Sequence, residues 1–168
     1  MFFTPGFYPH DNDGSLRLIN GDLFNFASPG PERQNSLLVD TIELFGPHYA
    51  PNSFILYLQD EPNNITICEQ TWLSQFNIAI TTPRQFPDIL LYHEEMHLLF
   101  FLELVTMHGP ISQHRRDELA ALCRGAGIQQ AYISVFFSFT DFKPHAATIA
   151  WDSCVWMAQL PDHIIYYQ

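Results

Sequence analysis

Positive charge is what this chain has least of. Seven Lys and Arg residues stand against eighteen Asp and Glu, giving a formal net charge of −11, and Lys143 is the sole lysine. A surface of that sign repels phosphate backbones, so nucleic acid is not an expected partner. The acids are dispersed rather than run together, which reads as a solvated face. Cysteine is scarce too: Cys68, Cys123 and Cys154 are odd in number, far apart and without a Cys-x-x-Cys pair. That excludes a disulfide framework and predicts free thiols in a reducing cytoplasm. Long apolar runs are missing, because the longest is broken by His93, Glu94, Glu95 and His97, so no membrane span is expected. The opening Met1-Phe2-Phe3-Thr4-Pro5-Gly6 lacks the basic start and apolar stretch of a signal peptide. Neither an internal repeat nor a low-complexity tract is found. What remains, 47% hydrophobic and 15% aromatic residues over 168, is enough for one domain spanning 1–168 around its own core.

Proline, glycine, Asn and Asp punctuate residues 1–52 into turns and short pieces. Within them His10-Asp11-Asn12-Asp13-Gly14 has the opening of a calcium loop but no downstream Glu, and reads as a turn. A helix is expected over Ser36 to Phe45. Strands are expected at Ser53–Leu58 and Asn64–Cys68, and a short helix at Gln70–Phe76. Pro87 opens a long predicted helix to Met107, stopped by Gly109-Pro110. Ser112 caps another, Gln113 to about Arg124, ended by Gly125 and Gly127. Gln129–Phe137 is apolar and fits either helix or strand, with helix the preferred reading, and a last helix is expected from His145 to Leu160.

His93-Glu94-Glu95-Met96-His97 carries the functional signal, since it reads His-Glu-x-x-His. On a helix, residues four apart share a face, so His93 and His97 would offer two imidazoles to one ion. Glu94 would then lie beside a metal-bound water as general base. Two imidazoles and a carboxylate in so apolar a stretch are costly unless a metal satisfies them. Asp88, Tyr92, Glu95 and Glu103 fall on the opposite, polar side of this helix.

The motif resembles the zincin metallopeptidases. Glu103 has the spacing of the third metzincin ligand, but Phe100 stands where those proteins turn at a Gly. The helix would therefore carry Glu103 about 9 Å along the axis from His97, too far to share an ion. Glu118 in Arg116-Asp117-Glu118-Leu119-Ala120-Ala121 resembles the Glu-x-x-Ala of gluzincins, which implies Glu118 as the third zinc ligand beside His93 and His97. Ile65–Trp72 is similar to the aspzincins, which makes Asp117 a competitor, although their Gly-Thr-x-Asp motif is absent. His108 and His114 are further alternatives. The resemblance, over about residues 65–122, implies an α+β fold: a single zincin-like domain with a small sheet packed on a central His-Glu-x-x-His helix and following helices. It also implies a zinc-dependent peptidase acting on a peptide or protein. His145, Tyr132, Tyr166 and Tyr167 are candidate oxyanion donors, with His145 the one assigned a catalytic role.

Two alternatives keep the motif. Two His and a carboxylate also form an iron(II) site. Cys123–Tyr132 is similar to a later segment of bacterial peptide β-hydroxylases that use iron and 2-oxoglutarate, with Arg124 as the 2-oxoglutarate clamp and Gln where a His is expected. The other alternative is a non-catalytic zincin-like binding module. Oligomeric state has no signature in the sequence.

Overall fold

Residues 15–24, 33–61, 64–79, 82–106 and 109–168 are described in a computed structural model. The turn read at His10–Gly14 and the ligand candidate His108 lie outside them. Seven strands, β1 (Phe54–Glu61), β2 (Asn64–Cys68), β3 (Ile89–His93), β4 (Leu98–Leu104), β5 (Gln129–Phe136), β6 (Ser153–Met157) and β7 (Ile164–Tyr167), join in one sheet of order β2-β1-β3-β4-β5-β6-β7. The sheet is mixed: β4·β5 and β5·β6 are parallel and the other neighbours antiparallel. Parallel neighbours need crossovers. Helix α4 (Gln113–Leu122) makes the first and the short α5 (Phe139–Phe142) lies in the second.

Both faces of the sheet are covered. On one, Leu91, Phe100, Leu102, Ile133 and Trp156 pack against Leu37, Leu38 and Phe45. These come from α1 (Arg33–Asp40) and the π turn Thr41–Phe45 that leads into α2 (Gly46–Tyr49). On the other, Leu90, Tyr92, Phe101 and Tyr132 pack under Leu119 of α4 and Leu73 of α3 (Gln70–Gln75).

This architecture corrects the expected zincin-like fold. The long helix over Pro87–Met107 does not exist: the motif lies on the β3–β4 hairpin, with Glu94–His97 as its turn. His97 N–H donates to Glu94 O at 3.1 Å and His97 has φ 49°. Every residue of β3 and β4 is buried. A strand covered on both sides shows an unbroken apolar run instead of alternation, and such a run has the same appearance as a buried helix. The same ambiguity overturns the helix expected at Gln129–Phe137, which is β5. The one expected at His145–Leu160 is replaced by a 3-10 turn (Lys143–His145) followed by β6. The signals that rest on turn chemistry hold: Ser112 Oγ accepts from Arg115 N–H at 3.2 Å at the start of α4, and Gly125 and Gly127 beyond its end have φ of 84° and 64°. Among the described residues no helix is long and apolar enough to cross a membrane.

Candidate active site

A row of polar residues crosses the apolar sheet at one level. In the β3·β4 register Ile89 faces Leu102, and one step further Asp88 stands opposite Glu103. Gln59 N–H donates to Asp88 O at 3.0 Å, which puts Gln59 beside Asp88, and Glu103 faces Ser134 on β5. All four side chains are buried. Strand alternation points Asp88 and Glu103 to the face covered by α4.

Such groups are tolerated inside only when satisfied, and the partners are specific. Asp88 Oδ2 accepts from Leu104 N–H at 2.7 Å and Oδ1 from the Gln59 amide at 3.2 Å. Glu103 Oε1 accepts from Arg115 Nε at 2.9 Å and Nη2 at 2.6 Å. Arg115 Nη2 also donates to Phe86 O at 2.9 Å, while Nη1 reaches Glu118 Oε2 at 3.3 Å. The arm comes from α4, whose entry is pinned where Ile111 N–H donates to Ser134 Oγ at 2.9 Å. Burial pushes the Glu103 carboxyl up to about 7, with the Asp88 and Glu118 carboxylates adding to the rise and Arg115 opposing it. Beside this row the Tyr57 hydroxyl is buried without a hydrogen-bond partner among the described residues, and burial, with Cys68 and Asp88 nearby, pushes it up to about 12.

The residues chosen from the sequence fall elsewhere, apart from Glu118. His93 ends β3 opposite Leu98, on the face of α1 and α2, and its Nδ1 accepts from Met96 N–H at 3.3 Å. The His97 ring lies against Phe76 and Tyr92 of the other face, its Nδ1 3.3 Å from the Tyr92 hydroxyl. Glu94 is exposed in the turn between them. Glu118 is half exposed on α4, between Arg115 and His114 Nε2 at 3.2 Å. His145 sits in the 3-10 turn after α5, its ring 5.8 Å from that of Phe136. Among the described residues no three His, Cys, Asp or Glu side chains gather around one point where an ion would be held. The helical face that was to unite His93, Glu94 and His97 is absent.

Comparison with known proteins decides the family. The family model for the BsuBI/PstI restriction endonuclease domain matches residues 17–168. The chain belongs to that family. It is similar to the type II restriction enzyme BsuBI of Bacillus subtilis, with 29% identity over 137 residues, covering 82% of this chain and 43% of that one. Over 81 residues it is 31% identical to the type II restriction enzyme AplI of Arthrospira platensis, covering 48% of this chain and 25% of the relative. The solved structure of the SdaI restriction endonuclease superposes with a TM-score of 0.78 at 27% identity, over 92% of this chain and 48% of that one. The chain thus spans less than half the length of each of these relatives. Membership corrects the zincin assignment and, with it, the peptidase, peptide-hydroxylase and binding-module readings and the exclusion of nucleic acid.

Neither Asp88 nor Glu103 is among the residues expected from the sequence to form the site. The expected helix carries Glu103 away from His97 and puts Asp88 on its polar side, opposite the two histidines. A signal was present: Pro87-Asp88 precedes one all-apolar run, and Glu103 is the lone charge inside the other, Leu98 to Val105.

Proposed function

We propose that this chain is the DNA-cleaving portion of a type II restriction endonuclease, hydrolysing a phosphodiester bond at a divalent ion held by Asp88 and Glu103. The observation that carries this reading is the pair of buried carboxylates facing each other across β3 and β4, in a chain of this family. A pair of carboxylates suits a magnesium-type ion, which binds few protein oxygens and takes its other ligands from water and substrate phosphate. Oxygen donors favour that ion over the zinc or iron expected from the histidine motif.

When bound, such an ion supplies charge stabilisation at the phosphoryl group and a water of lowered pKa. The chain's own residues do the positioning. Asp88 is fixed by the Leu104 N–H and the Gln59 amide, so its carboxylate is oriented before any ligand arrives. Glu103 is held by Arg115 from the helix above. DNA replaces the peptide substrate. A cytoplasmic setting fits the free thiols, of which burial pushes Cys123 and Cys154 up to about 12, keeping them protonated and unreactive.

Cleavage of plasmid DNA in the presence of Mg2+ tests the reading. Asp88→Asn and Glu103→Gln should each lower the rate by at least ~10²-fold while leaving the fold intact, because each removes an ion ligand. Undiminished cleavage by either variant would remove that residue from the reaction.

A further inference from the structure

Arg115 makes contacts that differ in kind at its two ends. Nε and Nη2 both bind one oxygen of the buried Glu103, while Nη1 already touches Oε2 of the half-exposed Glu118, three residues further along α4. The remaining Glu118 oxygen faces His114. The backbone beneath the arm is anchored: Ser112 caps it at Arg115 N–H and Ile111 is tied to Ser134. Arg115 occupies only Oε1 of Glu103, but a guanidinium held at that oxygen repels a divalent ion arriving at the same buried carboxylate. The helix is pinned, so the element left to answer is the Arg115 side chain, which would give up its Phe86 O contact together with Glu103, and the carboxylate that would receive it is already in contact.

We infer that Arg115 is a counter-ion gate on the acid pair: it holds Glu103 in the absence of the ion and swings onto Glu118 when a divalent ion binds at Asp88 and Glu103. The inference rests on the proposal that these two carboxylates hold the ion. It gives Glu118 a positioning role acting through Arg115, outside the ligand set. It also sets a threshold: the ion must displace an existing charge, so binding is weaker than the acid pair alone would give, and the pair is never left as two uncompensated buried charges.

Mg2+ binding by the full chain, measured by titration calorimetry, reads the gate directly. Arg115→Met keeps the apolar stem and removes the competing charge, so affinity should rise roughly tenfold. Glu118→Gln should weaken binding by several-fold, and that loss should vanish in the Arg115→Met background, as a double-mutant cycle requires of residues acting through one another. In the unmutated chain the Arg115 Nε–H resonance, assigned by its loss in Arg115→Met or by backbone-linked experiments, should gain solvent exchange as Mg2+ saturates. If Arg115 instead supports Glu103 as an ordinary outer-shell partner, Arg115→Met should lose roughly 10–100-fold in affinity, and the gate is overturned. An equal Glu118→Gln effect in both backgrounds, or an Arg115 resonance unmoved at saturation, overturns it as well. Should Arg115→Met fail to fold, the resonance and Glu118→Gln decide alone. Asp88→Asn separates the two levels: Mg2+ binding unaffected by that change defeats the acid-pair proposal itself, and the gate falls with it.

Discussion

Glu103 is buried among apolar neighbours yet has an arginine on one oxygen, and the two influences oppose each other. Desolvation wins, pushing its carboxyl up to about 7 against an ordinary value of 4.5. Between those values the folded chain holds a proton that the unfolded chain has released, so the slope of unfolding free energy with pH is negative there. The stabilising contribution is complete below about 4.5 and is lost as pH rises through about 7. Melting temperatures of the ion-free protein should therefore carry a component that falls over this window and disappears in Glu103→Gln; equal profiles for the two proteins would refute the shift. Ion affinity should run the other way, rising with pH through about 7, because the ion competes with the proton for the same carboxylate. The sequence hid this pair for a geometric reason. Asp88 and Glu103 are 15 positions apart, about 22 Å along a helix but directly opposed in a hairpin. Glu118, chosen for the wrong helix pair, nonetheless lies next to the site because α4 was readable from Ser112 and the glycines beyond it.

At the scale of elements, the sequence was legible wherever local backbone chemistry decides the outcome. The strands expected at Ser53–Leu58 and Asn64–Cys68 and the helices expected at Ser36–Phe45, Gln70–Phe76 and Gln113 to about Arg124 overlap β1, β2, the α1–α2 segment, α3 and α4. It failed in the sheet's centre, where tertiary cover decides. Leu-rich runs such as Ile89–Tyr92 and Leu98–Leu102 have good helix propensity, but a sheet with helices on both faces accepts them as strands. His97 distinguishes the two structures. In the interior of a helix, His97→Gly should cost roughly 0.5–1 kcal/mol. In the observed turn His97 is exposed at φ 49°, a conformation that glycine adopts without steric cost. Both His97→Gly and His97→Ala lose the ring's contacts with Phe76 and Tyr92, so the comparison between the two isolates the backbone: in the turn the glycine variant should equal or exceed the alanine variant in denaturant stability. An alanine variant more stable than the glycine one by the helical penalty would contradict the hairpin.

For the molecule as a whole, the net charge of −11 is an average, and averages over a surface do not locate a phosphate site. Part of the acidity belongs to the acid pair itself, where the divalent ion proposed above would reverse the local sign. The deficit of cations still has a consequence for binding. Of seven Lys and Arg residues, Arg115 is engaged by Glu103 and Glu118, and Arg116 by Asp152 at 3.9 Å and by the Tyr132 ring at 5.1 Å. At most five others remain for phosphates. Each neutralised phosphate contributes about −0.9 to the slope of log K against log salt, so duplex binding by this chain should show a slope no steeper than about −4.5. Fluorescence anisotropy of labelled DNA at graded salt, with Ca2+ in place of Mg2+ to prevent cleavage, measures it. The same titration in Asp88→Asn should lose affinity even at low salt, because the ion is then missing from the place where the acidic surface must be bridged. A steep slope insensitive to Asp88→Asn would place DNA affinity in cations this chain does not have to spare, and would contradict an ion-bridged mode of approach.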